Sequence, residues 1–154
     1  CNFLFSNPNA RERNTLFHKL SKYKRVDSGG RAHNNLGYYV DDKMQFLSQY
    51  KFTIAFENSE YPGYTTEKLV HPKLVNSIPI YWGNPDAHRD WNTSAFINAY
   101  EFSNVKRLIE YIMEVDRNDD LYFALLNAPH FTTPKSHHLD RQALIRFFER
   151  ITHS

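Results

Sequence analysis

The feature that most restricts the fold of this chain is a rhythm of short apolar runs separated by longer stretches with helical spacing. Cys1 to Phe5 reads as a buried strand closed by the turn residues Ser6-Asn7-Pro8. Arg11 to Tyr23 follows, with Leu16, Leu20 and Tyr23 at helical spacing and Phe17 beside them. Arg25-Val26-Asp27 is a short strand ended by Ser28-Gly29-Gly30, Arg31 to Val40 reads as loop, and Lys43 to Tyr50 as a short helix. Phe52 to Phe56 and Ile78 to Trp82 are the next strands, with a helix between them. A further strand lies at Phe96. Val105, Leu108, Ile109, Ile112 and Met113 share one helical face, and Leu144, Phe147, Phe148 and Ile151 share another. Strands alternating with helices pack as a parallel sheet covered on both faces, so one α/β domain of Rossmann-like form is expected. In that arrangement Phe52–Phe56 lies inside the sheet, away from its edges.

Composition agrees with one packed domain and removes several functions. The 154 residues include ten Tyr and twelve Phe, enough aromatic mass to argue against disorder. A net charge of +2, without a basic stripe running among the aromatics, gives no footprint for a nucleic acid. The only cysteine, Cys1, excludes an internal disulfide and provides no zinc site. No apolar run reaches the roughly 18 residues of a membrane span. His137-His138 and His71 lack helical ligand spacing to one another, and Trp82 and Trp91 are expected in the core.

Ligands of such sheets bind at the carboxyl ends of the strands, where three loops here are unusual. The first runs from Phe56 through Glu57, Asn58, Pro62-Gly63 and Tyr64 to Thr65-Thr66-Glu67-Lys68. Thr65 or Thr66 can cap the next helix, whose N-terminus favours a phosphate. Lys68 would add a full charge to that anion, Glu67 would accept from ribose hydroxyls, and Tyr64 would close over the ligand. From spacing alone, a capped helix with Glu67 and Lys68 in solvent is the simpler reading. The second loop is Ser6-Asn7 with Arg11 and Arg13, where arginine early in a helix opposes the dipole unless an anion is bound. The third, Asp27-Ser28-Gly29-Gly30, allows a close backbone approach or simply a turn. No G-x-G-x-x-G and no Walker sequence is present.

Taken together these residues resemble the α1,3/4-fucosyltransferases. The resemblance rests on Phe56-Glu57-Asn58-Ser59, Tyr64-Thr65-Thr66-Glu67-Lys68-Leu69 and Ile78-Pro79-Ile80-Tyr81-Trp82-Gly83, with Ala95-Phe96-Ile97, Ser6-Asn7 and Arg13. It covers Cys1 to Pro129, and Tyr23 to Gly30 looks closer to bacterial than to animal members. It implies the GDP-fucose-binding, C-terminal half of a GT-B glycosyltransferase over residues 1–154, the N-terminal acceptor half lying outside this chain. It implies inverting transfer of L-fucose from GDP-fucose to an N-acetylglucosamine-containing glycan, of lipopolysaccharide or Lewis type. Arg13 and Lys68 would neutralise the diphosphate, Glu67 would bind ribose, and Tyr64 and Asn58 would line the nucleotide and fucose pocket. Glu57 would either contact fucose or hold its loop. The general base is expected in the other half, so the isolated chain is expected to bind donor without transferring fucose.

No D-x-D sequence is present, so the cations are expected to serve where other glycosyltransferases use a metal, with no obligatory cofactor. Pro72 is expected to kink the helix after Lys68 or to force a restart. The expected partners are a nucleotide sugar and, through the missing half, a glycan acceptor; membrane-surface association is expected of the full-length protein only. The expected location is the bacterial cytoplasm, peripheral to the inner membrane. A donor domain for another nucleotide sugar, or a non-catalytic nucleotide- or carbohydrate-binding module, are the alternatives.

Overall fold

In the computed structural model, residues 1–132 are described. Five strands form one fully parallel sheet in the order β2-β1-β3-β4-β5. They are β1 (Asn2–Phe3), β2 (Asp27–Ser28), β3 (Phe52–Phe56), β4 (Ile78–Trp82) and β5 (Ile97–Asn98). The expected α/β architecture is therefore borne out, with β3 at the centre of the sheet. β3 and β4 pair along their whole length, Phe52 opposite Ile78 and Phe56 opposite Trp82.

All five residues of β3 are buried, because helices cover both of its faces. Phe52, Ile54 and Phe56 point with Ile78, Ile80 and Ile97 into the larger core. That core is closed by α1 (Arg11–Leu20), α4 (Val105–Arg117) and α5 (Asp119–Asn127). Ala55 and Tyr81 alternate to the opposite face and meet Leu69 of α3 (Glu67–Leu74), which packs beside α2 (Lys43–Ser48). Trp82 packs at the core margin between Phe56 and Tyr100, and Trp91 leans on Phe131.

Several boundaries differ from the sequence expectation for identifiable reasons. β1 stops at Phe3 because the backbone of Phe5 turns to the next loop, its carbonyl accepting from Ala32 N–H at 2.9 Å. β2 is Asp27–Ser28 and shares only Asp27 with the expected Arg25–Asp27 run. α1 ends at Leu20 in tightened turns, Tyr23 N–H reaching Leu20 O at 2.9 Å. α3 runs through Pro72 and stops two residues later at Leu74; of the two outcomes expected of Pro72, a kink or a restart, the restart is absent, since no second helix starts before β4. α5 has no counterpart among the helices expected from the sequence. The apolar face at Leu144, Phe147, Phe148 and Ile151, and His137-His138, lie outside the described residues.

Candidate functional site

The site grows from the last turn of the central strand. Because side chains alternate along an extended chain, Glu57 and Asn58 send their polar groups to opposite sides of the sheet end. On the α1 side, Arg13 donates from Nη1 to Phe56 O at 3.4 Å and to Asn58 Oδ1 at 3.0 Å, and from Nη2 to Asn7 O at 3.0 Å. Its guanidinium lies 3.8 Å from the centre of the Phe5 ring. Arg13 is fully buried, whereas Arg11 of the same turn is exposed and takes no part. Burial pulls Arg13 down to about 10, with Glu57 pulling the other way, so it stays charged at neutral pH. Its Nε is buried without a partner among the described residues.

On the α3 side, Glu57 is closed to solvent. Its Oε1 accepts from Thr66 N–H at 3.0 Å and from the Thr66 hydroxyl at 2.7 Å, while Oε2 pairs with Lys68 Nζ at 3.0 Å. The same Thr66 hydroxyl caps α3, accepting from Lys68 N–H at 3.3 Å. One buried carboxylate thus fixes the cap, the start of the helix and its first lysine together. Of the two roles open for Glu57 in the sequence, its geometry here is that of a loop holder. The opposite wall is Gly83 at φ 142°, where any Cβ would collide with Glu57 Cγ and Cβ. Glycine there lets β4 close over the carboxylate.

Lys68 is therefore not a solvated helix residue: its side chain is 18% exposed and shared between Glu57 and Glu67, the latter at 3.5 Å. Glu67 stands exposed at the mouth, with Lys43 of α2 3.8 Å away. Burial would raise Glu67, but Lys68 and Lys43 prevail and hold its carboxyl below the usual range. Lys43 and Lys68 thus meet Glu57 and Glu67 at the N-terminus of α3, and Arg13 adds a third cation on the other side of the strand end, a charge balance that favours an anion. Tyr64, 52% exposed, and exposed Asn58 stand on the same loop.

Beside Arg13, at the ends of β1 and β2, opens a cleft of about 630 Å³. Phe5, Ser6, Gly29, Gly30, Arg31 and Tyr39 line it. A Cβ on Gly30 would strike the Phe5 backbone, so that glycine serves the chain's own close packing next to the cleft. Among the described residues no group of three His, Cys, Asp or Glu is placed to hold a metal. No helix among them is long and apolar enough to cross a membrane.

The sequence reading singled out Arg13, Glu57, Asn58, Tyr64, Glu67 and Lys68, and the structure sets all six around the carboxyl end of β3 and the start of α3. It assigns no role to Lys43, Gly83 or Asn84: Gly83 stands only at the end of the Ile78–Gly83 run, and the other two carry no local motif.

A parallel sheet whose central strand runs into a capped, cation-rich helix has the form that nucleotide-binding α/β domains take. The family model for glycosyltransferase family 10 (fucosyltransferase), C-terminal part, matches residues 1–146, and the chain belongs to that family. Alpha-(1,3)-fucosyltransferase FucT of Helicobacter pylori is 41% identical over 124 residues, covering 80% of this chain and 26% of its own length. GDP-fucose protein O-fucosyltransferase 3 of Xenopus laevis is 39% identical over 128 residues, 75% of this chain and 27% of that protein. A crystal structure of an alpha1,3-fucosyltransferase with GDP-fucose superposes with a TM-score of 0.91 at 36% identity, covering 97% of this chain and 46% of the other. The chain thus spans about a quarter of these two curated relatives and under half of the solved one.

Proposed function

We propose that these residues are the donor-binding part of an inverting fucosyltransferase that takes L-fucose from GDP-fucose. Family membership supports this, as does the solved relative described with GDP-fucose. The observation that carries it is the Phe56-Glu57-Asn58 turn, which ties Arg13 to one side of the strand end and Lys68 with the α3 N-terminus to the other. In the reaction an acceptor hydroxyl attacks the anomeric carbon while its bond to the diphosphate oxygen breaks. Negative charge then collects on the departing GDP, where Lys68, Arg13 and the amides at the start of α3 stabilise it. Glu67 accepts from the ribose hydroxyls, and the cleft beside Phe5 and Gly30 takes the base. Asn58 and Tyr64 face the sugar. The group that removes the acceptor proton is supplied by the opposing domain, which also binds the glycan, an N-acetylglucosamine-containing acceptor of lipopolysaccharide or Lewis type.

The test is a titration of the 154-residue chain with GDP-fucose, followed through backbone amide shifts. Thr66, Glu67 and Lys68 are expected to move first and furthest. Shifts confined to the amino ends of the strands would place the ligand elsewhere and sink the proposal.

A further inference from the structure

Tyr64 combines a fixed backbone with a free ring. Its N–H reaches Tyr61 O at 3.2 Å, its carbonyl accepts from the Tyr81 hydroxyl at 3.5 Å, and Tyr61 N–H is itself held by Gly83 O at 2.8 Å. The residues flanking it are tied to one side chain beyond β4. Asn84 Oδ1 accepts from Gly63 N–H at 2.8 Å, and Asn84 Nδ2 donates to Thr65 Oγ1 at 2.9 Å. Oδ1 also accepts from Asp86 N–H at 2.9 Å, an ordinary turn bond that orients the amide. Asn84 is 2% exposed while Tyr64 is 52% exposed.

A loop that only had to connect β3 to α3 would not need its tip clamped from the segment that follows a neighbouring strand. Holding an exposed aromatic ring in one place reduces the ordering that a ligand must impose when it binds. We propose that Asn84 is a positioning residue that presents the Tyr64 ring to the bound donor. The inference rests on the reading of Tyr64 as a wall of the fucose side of the site.

A double-mutant cycle tests it, with GDP-fucose affinity measured by calorimetry on the 154-residue chain and thermal midpoints recorded alongside. Asn84→Ala is expected to weaken GDP-fucose about fivefold, the equivalent of roughly one hydrogen bond. In a Tyr64→Ala background the same substitution is expected to leave affinity unchanged, while lowering the thermal midpoint as much as before. Equal weakening in both backgrounds would show a general packing role and overturn the proposal. If Asn84→Ala fails to fold, Thr65→Val removes one of the same bonds and takes its place in the cycle. A Tyr64→Ala chain with unchanged affinity would instead refute the wall reading on which the inference stands. A wild-type chain that ignores GDP-fucose would refute the donor site itself.

Discussion

Replacing Lys68 by alanine removes the charge partner of a carboxylate that is closed to water. Such a change costs on the order of 3 kcal/mol of stability, and on the proposed role of Lys68 the donor would lose a charge-assisted bond besides. Lys68→Ala and Arg13→Ala are each expected to weaken GDP about tenfold or more. Arg13→Ala should also lower the thermal midpoint, because Phe56 O and Asn7 O lose their donor. Calorimetry on chains shown to be folded by circular dichroism is the check, and unchanged GDP affinity in both would contradict the phosphate roles. At this scale the sequence was informative about which residues matter and less so about what they touch. Lys68 and Glu67 stand in a local motif, so they were legible. The bond from Glu57 to Thr66, nine positions along, and the fit of Gly83 against Glu57 depend on strand alternation and on β4, which no local pattern records.

At the scale of elements, the proposed donor site depends on α3, whose start is secured twice by one hydroxyl. Thr66→Ala removes the cap on Lys68 N–H and a bond to Glu57 together. Loss of a cap alone costs about 1 kcal/mol. Thr66→Ala is therefore expected to cost more than that in urea unfolding, and to weaken GDP through the disturbed helix start. Thr66→Ser, which keeps the hydroxyl, should restore both; failure of serine to do so would show that the methyl group, not the cap, is what matters. Strand existence and direction were readable from the apolar runs, since β3 and β4 occupy the expected residues without adjustment. α5 was missed although Asn118 caps it, accepting from Leu121 N–H at 3.2 Å, and Asp119-Asp120 follow in its first turn. Its apolar residues are spread too evenly for a clear face, and packing on α4 decides it.

For the whole molecule, burial first of all holds His33, His71 and His130 below the ordinary 6.5. The unfolded chain therefore takes up protons near pH 6.5 that the folded chain resists. Stability is fully present above that pH and falls as the pH drops toward the lowered values. The thermal midpoint is expected to be lower at pH 5 than at pH 7.5, and His33→Asn, tolerable at φ 53°, should remove part of the drop. A midpoint flat across that range would contradict the burial argument. On the proposed reading, the carboxyl end of this sheet is a site for a guanosine diphosphate sugar. The most direct measurement is a calorimetric titration of the chain with GDP, ADP and UDP in parallel, repeated on Lys68→Ala. GDP is expected to bind clearly more tightly than ADP or UDP and to lose about tenfold or more in the variant. Equal affinities for the three nucleotides, or a GDP affinity that ignores Lys68, would contradict the account.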